Sequence, residues 1–293
     1  MVILDLDALA ARLPPRPLTR FAPSPTGYLH LGHVVNAICV WGIARALGGR
    51  VLLRIEDHDR LRSRAPFDSA ILEDLAWLGF EPDRGPLRQS DEPHVYDEAL
   101  ARLARSHRVY ACDCSRKEIA AASRGGGAGD ETRYPGRCRT RRLAPRTGCG
   151  MRVEIEPGVE RFDDGVLGPQ AQEPAIQCGD LLVRDRDGHW TYQFAVTVDD
   201  LRQEIDLVIR GTDLLSSTGR QIRLARMLGS ERAPVFLHHP LVRRPSGEKL
   251  SKSSGDTGVR ELRAAGVSAA EVLDRAAAAG GLPEKLSRLV KRV

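Results

Sequence analysis

Leu18-Thr19-Arg20-Phe21-Ala22-Pro23-Ser24-Pro25-Thr26-Gly27-Tyr28-Leu29-His30-Leu31-Gly32-His33, read on to Ile55, decides the fold of this chain. Leu18 to Phe21 has the character of a short strand. Ala22 to Gly27 is a turn that no helix crosses, because two prolines and a glycine interrupt it. A helix follows, with Val34, Ile38, Trp41 and Leu47 at helical spacing and Gly48-Gly49 as a left-handed stop. Arg50 to Ile55 is then nearly continuous in apolar character, as in a strand buried on both faces. Strand, helix, strand is a parallel crossover, the building block of a doubly wound α/β sheet. Further strands are expected at Ile205–Ile209 and in the apolar run Ala233–Leu241. The expected organisation is therefore a Rossmann-type core in two halves, 1–109 and 188–245. An insertion over 110–187 separates them, and a lysine-bearing loop with an Ala-rich helical tail follows over 246–293.

Working outward, the composition is globular: 293 residues, 42% apolar and 28% charged, with a net charge of +5. No run has the length of a membrane span and Met1 to Arg20 lacks a basic leader, so a cytoplasmic, membrane-free protein is expected. Six cysteines are too sparse for a disulfide scaffold and read as reduced thiols, metal ligands or core residues. Only five of the 44 basic residues are lysines. Arg102 to Arg146 holds 12 basic against 4 acidic residues, a local +8. Such a segment suits either a docked polyanion or a solvated Arg-rich surface.

Ligands of open parallel sheets sit at the carboxyl ends of strands near the switch point. That rule selects Arg20, Glu56, Asp57 and Arg210. Two guanidiniums and a carboxylate suit an amino acid carrying a second carboxylate, since arginine grips carboxylates bidentately and Glu56 accepts from an ammonium. His30 and His33 lie on the first turn of the first helix, beside its free N–H groups, and Gly32 between them lets a ring or phosphate approach. The pair is read as a nucleotide site, with capping or zinc-binding histidines as the alternative. Gly247-Glu248-Lys249-Leu250-Ser251-Lys252-Ser253-Ser254-Gly255 holds two of the five lysines in a Gly-bracketed loop that either closes over phosphates or is merely solvated.

Together these stretches resemble the class I aminoacyl-tRNA synthetases. Pro23 to His33 looks like their "HIGH" signature and Lys249-Leu250-Ser251-Lys252-Ser253 like their "KMSKS" loop. Arg20 to Ser24, Arg54-Ile55-Glu56-Asp57 and Ile209-Arg210-Gly211-Thr212-Asp213 narrow the resemblance to the glutamyl and glutaminyl branch. It implies a glutamate site of Arg20, Phe21, Ala22, Pro23, Ser24, Glu56, Tyr192 and Arg210. Arg20, Tyr192 and Arg210 would hold the side-chain carboxylate, and Ser24 and Glu56 the α-amino group. His30, Gly32, His33, Lys249 and Lys252 would bind ATP with Mg2+, with His30, His33 and Lys252 acting on its transition state.

Val196 stands where full-length glutamyl enzymes often carry asparagine, and the chain ends soon after the lysine loop. Both departures resemble the short paralogues that esterify glutamate to queuosine in tRNA(Asp), the glutamyl-queuosine tRNA(Asp) synthetases. The resemblance implies L-glutamate, ATP and queuosine-bearing tRNA(Asp) as partners, with a monomer expected. Cys112-Asp113-Cys114 and Tyr134-Pro135-Gly136-Arg137-Cys138 match these paralogues' zinc pattern, implying one structural Zn2+ on Cys112, Cys114, Tyr134 and Cys138. From the residues alone, Cys149 and His107 remain rival fourth ligands, and three unrelated core cysteines remain an alternative. Cys39 and Cys178 read as packing residues. Arg139, Arg141 and Arg142 are expected to meet tRNA phosphates. A minimal glutamyl-tRNA synthetase acting on an acceptor end is the nearest rival. A small-molecule nucleotidyltransferase and a noncatalytic RNA-binding relic are further off.

Overall fold

The computed structural model describes residues 4–59, 61–123, 132–242 and 258–283, with Leu286 and Val290. Its strands are β1 (Leu18–Phe21), β2 (Arg50–Ile55), β3 (Arg84–Arg88), β4 (Val109–Cys112), β5 (Gly150–Val153), β6 (Glu160–Asp164), β7 (Gly168–Gln172), β8 (Leu181–Arg184), β9 (Leu207–Gly211) and β10 (Val235–His239). Its helices are α1 (Leu6–Ala10), α2 (Leu31–Ala46), α3 (Ala65–Trp77), α4 (His94–Ser106), α5 (Arg116–Ala122), α6 (Pro174–Gln177), α7 (Tyr192–Arg202), α8 (Thr218–Met227), α9 (Val259–Ala264) and α10 (Ala269–Gly280).

The main sheet has the order β3-β2-β1-β9-β10-β6-β7, parallel throughout except for the β6–β7 hairpin. The order reverses between β1 and β9, which places the switch-point crevice at the carboxyl ends of these two strands. A Rossmann-type α/β core was expected and is present. The segment 110–187 divides between two sheets: β4, β5 and β8 form a separate three-stranded sheet, whereas β6 and β7 extend the main one. The link is the register Phe236↔Asp164, which lays β6 beside β10. Neither β3 nor this hairpin has an apolar pattern of its own, so periodicity did not announce them.

Helix α2 is buried nearly all round, from Val34 and Val35 through Ile38, Trp41 and Ile43. One side meets the sheet and the other meets α10, where Gly280 lies so close that a Cβ would come within 2.9 Å of Val35. Gly48 takes the left-handed conformation, φ +62°, that ends α2 before β2. Cys39 lies in this core, where burial pushes its thiol up to about 12, so it packs as an inert apolar group. Among the described residues no helix is long and apolar enough to cross a membrane.

Candidate active site

The turn after β1 is fastened to the chain leaving β2. Pro23 O accepts from Glu56 N at 3.0 Å and Pro25 O from Arg64 N at 3.0 Å. His30 is the N-cap of α2: the Gly32 N–H donates to His30 Nδ1 at 3.1 Å, and the His30 N–H donates to His33 Nδ1 at 3.1 Å. Capping and nucleotide binding, posed as alternatives, are thus compatible here. Because each Nδ1 accepts a backbone N–H, each neutral imidazole carries its proton on Nε2, as the hydrogen-bond network assigns it. The rings lie 3.9 Å apart, and together with Asn36, Arg210, Gly211 and His239 they line a crevice of about 280 Å³. A Cβ on Gly32 would meet His30 Cε1 at 2.9 Å, so the glycine preserves the cap.

Lys249 and Lys252 lie outside the described residues. The described chain on either side borders the same crevice: Leu241 and Val242 line it, while Gly258 bridges to His30 and the Val259 N–H donates to Leu29 O at 2.9 Å.

Beside the crevice, Arg20, Glu56, Tyr192 and Arg210 converge from β1, the end of β2, α7 and β9. Tyr192 lies close enough to Arg210, Glu56, Arg20 and Asp200 to feel their charges; burial raises its pKa, and the two arginines oppose the rise. Phe21 turns its ring into the core, where it packs on Trp41 at 5.3 Å between centroids, so its backbone is the part left to face a ligand. Ala22 and Ser24 are partly exposed in the turn, and Pro23 is buried there. Val196 is buried on α7, one helical turn after Tyr192.

Arg54, which lies within a family stretch of the sequence but is given no role there, ties this pocket together. It is fully buried; its Nη1 donates to Asp200 Oδ1 and Gln203 Oε1, both at 2.8 Å, and its Nη2 to Glu56 Oε1 at 3.0 Å. Asp200 also accepts from Arg20 Nε at 3.2 Å. Burial alone would raise the Asp200 carboxyl, but Arg20 and Arg54 hold it below the usual carboxylate range. The signal was available: a charged residue inside an otherwise apolar, buried strand needs buried partners.

Arg210 is held differently. Its Nε donates to His238 Nε2 at 3.0 Å, Nη1 to Gln221 Oε1 at 2.7 Å and Nη2 to Thr218 Oγ1 at 2.9 Å. All three acceptors are uncharged. Burial lowers its pKa, Arg20 adds to the fall, and Tyr192 and Asp200 oppose it. A buried cation with neutral partners is matched best by an anionic ligand.

In the second sheet region, the Sγ atoms of Cys112, Cys114 and Cys138 lie within 4.8 Å of one another, Cys114 to Cys138 at 3.5 Å. Tetrahedral Zn–S bonds of about 2.3 Å place sulfurs about 3.8 Å apart, so the spacing fits such an ion. Tyr134 Oη stands 3.5 Å from Cys112 Sγ. Burial and the neighbouring Cys138 thiol push Cys114 up to about 12. Cys149 and His107 do not join this cluster; His107 Nε2 instead meets Met227 O at 3.1 Å.

The basic segment needs correction residue by residue. Arg139 Nε and Nη2 grip the buried Asp180 at 2.9 and 2.7 Å, and Arg141 Nη1 grips Asp113 at 2.6 Å. These two staple the insertion. Among the described residues, the exposed Arg116, Lys117, Arg142 and Arg146 make no ion pair and present their charge to solvent.

Residues 18–292 match the family model of class I tRNA synthetases (E and Q), catalytic domain. The chain belongs to this family. Class I synthetases of this kind are ATP-dependent ligases that join an amino acid to tRNA. The chain is 44% identical over 241 residues to the glutamyl-Q tRNA(Asp) synthetase of Janthinobacterium sp. (strain Marseille), covering 80% of this chain and 81% of the relative. It is 39% identical over 289 residues to that of Nitratidesulfovibrio vulgaris (strain Hildenborough), covering 93% and 89% respectively. The crystal structure of a glutamate tRNA ligase from Elizabethkingia meningosepticum, in complex with its amino acid, superimposes with a TM-score of 0.69 at 30% identity over 82% of this chain. The chain spans about half of that ligase, 53% of its length.

Proposed function

We propose that this synthetase activates L-glutamate with ATP and transfers it to the queuosine base in the anticodon of tRNA(Asp), working as a cytoplasmic monomer. The observation that carries the glutamate reading is the buried pocket in which Arg210 has only neutral partners while Arg54 holds Glu56 ready for an ammonium. The queuosine reading is supported by the names of the relatives and by Val196 standing where full-length glutamyl enzymes often carry asparagine.

Glutamate is held with its side-chain carboxylate toward Arg20, Tyr192 and Arg210 and its ammonium toward Glu56 and Ser24. Its α-carboxylate oxygen attacks the α-phosphorus of ATP, and the bond to the β-phosphate oxygen breaks, giving glutamyl-adenylate and pyrophosphate. The Nε2–H groups of His30 and His33, the amino end of α2, and Lys252 meet the charge that develops on the nonbridging and departing oxygens. Mg2+ accompanies ATP as part of the substrate. A queuosine hydroxyl then attacks the acyl carbon, the ester forms, AMP leaves and the hydroxyl proton passes to solvent. The test is incubation with labelled glutamate, ATP and tRNA pools with or without queuosine. Label on the anticodon of queuosine-bearing tRNA(Asp) supports the proposal; label on an acceptor end overturns its transfer step.

The cysteine cluster would hold one structural zinc on Cys112, Cys114, Cys138 and Tyr134. Purified protein is expected to carry about one zinc per chain by elemental analysis, the content of a single four-ligand site, and Cys112→Ser or Cys138→Ser to lose it and to melt at lower temperature. Fully stable, metal-free wild-type protein would refute the site.

Affinity for tRNA is expected to fall with salt, log K changing by about −0.7 per phosphate contact against log salt if the loop binds as single strand. Replacing Arg116, Lys117, Arg142 and Arg146 with glutamine should flatten that slope without altering pyrophosphate exchange. An unchanged slope would assign these charges to solvent alone.

A further inference from the structure

β6, β9 and β10 lie side by side, and their registers Phe236↔Asp164 and His238↔Arg210 set three side chains in a row. Asp164 Oδ2 is 2.6 Å from His238 Nδ1, and both side chains are fully buried. His238 Nε2 is 3.0 Å from Arg210 Nε, which can only donate. The Nε2 lone pair must therefore face Arg210, and the imidazole proton must lie on Nδ1, toward Asp164. The opposite neutral tautomer would set N–H against N–H. Asp164 is in turn fixed through Oδ1, which accepts from the N–H groups of Val166 and Leu167 at 3.0 Å each.

We propose that Asp164 and His238 are positioning residues for amino-acid recognition: Asp164 selects the His238 tautomer whose Nε2 aims the Arg210 guanidinium at the substrate's side-chain carboxylate. The inference rests on Arg210 as the carboxylate-gripping residue. With Nε on His238 and one hydrogen each on Gln221 and Thr218, Arg210 has a further N–H on each terminal nitrogen with which, beside its neighbour Tyr192, to meet a carboxylate. The β6–β7 hairpin, outside the run of core crossovers, thus supplies part of the specificity apparatus. Asp164 belongs to it, and an extra hairpin on a sheet edge would not otherwise need a fully buried carboxylate at its inner end.

Two measurements test this. The first uses wild-type protein, so that no variant has to fold: nitrogen-15 correlation spectra of the histidine rings should show neutral His238 protonated on Nδ1. Protonation on Nε2 would overturn the proposal whether or not glutamate is the substrate. The second is ATP–pyrophosphate exchange. In Asp164→Asn the amide oxygen can keep the backbone bonds while the NH2 donates to Nδ1, forcing the wrong tautomer. Glutamate KM should rise about 10- to 100-fold, the size of one charge-assisted hydrogen bond, with ATP KM and the rate at saturating glutamate little changed. His238→Leu should act alike, and His238→Gln, whose amide oxygen reaches the Nε2 position, should recover most of the affinity. A folded Asp164→Asn with wild-type glutamate KM, or a His238→Gln no better than His238→Leu, refutes the positioning role. If wild-type protein shows no glutamate-dependent exchange, the substrate reading fails instead, and the tautomer alone decides the relay.

Discussion

Arg54→Met is expected to cost about 3 to 5 kcal/mol of folding stability at neutral pH, the usual penalty for leaving a buried charge without its partner. It should also abolish glutamate activation in whatever fraction folds. Arg54 lies among Glu56, Asp200 and Asp199, the last with an Oδ2 3.9 Å from its Nε. Removing the cation leaves carboxylates facing one another inside the protein, and methionine restores volume but no charge. The pH dependence separates pairing from packing. Asp200 is held below its ordinary range, so its pairing stabilises the fold above that range and the contribution is lost as pH falls through the depressed folded value. The gap between wild type and variant should therefore be widest near neutrality and narrow as pH drops below about 4, where unfolded carboxylates protonate. Urea denaturation at both pH values measures it. A gap of equal size at both would trace the loss to shape alone.

The contribution of Arg54 shows where sequence reading reaches and where it stops. β1, α2 and β2 were legible because an apolar strand, a Pro-Gly turn and a helix with a glycine stop each have a local physical cause. The crevice residues were legible because the ends of parallel strands are where ligands go, which puts Arg20, Glu56 and Arg210 together from the sequence alone. The residues that orient them were not, since Asp164, Asp200 and His238 meet their partners only through register between strands and helices far apart in the chain. Charge counting failed for the same reason. Arg139 and Arg142 look alike in a basic run, yet one is locked onto buried Asp180 and the other faces water. The β6–β7 hairpin was absorbed into the insertion because its pattern is polar, its place in the sheet being fixed by pairing rather than by an apolar face.

Arg210→Met is expected to raise the glutamate KM about 30- to 1000-fold in pyrophosphate exchange, equivalent to about 2 to 4 kcal/mol for a buried carboxylate that loses its charged partner. Arg210→Lys should recover little: His238, Gln221 and Thr218 are set around a planar fork with separate donors on Nε, Nη1 and Nη2, and a single ammonium cannot reach all three while facing a ligand. Aspartate should stay a poor substrate for wild type and variant alike, one methylene short of the grip. The contrast with Arg54 lies in stability. Arg54→Met strands carboxylates, whereas Arg210→Met strands neutral hydrogen-bond acceptors and removes only a longer-range attraction to Asp200; the lost donor costs about 1 to 3 kcal/mol and is partly offset by removing a buried cation that has no carboxylate hydrogen-bonded to it. Melting temperature should therefore fall less in Arg210→Met than in Arg54→Met, while glutamate affinity collapses in both. If the two variants lost stability equally and Arg210→Met kept its glutamate KM, Arg210 would be a framework cation, and the recognition of the second carboxylate would have to be sought at Arg20.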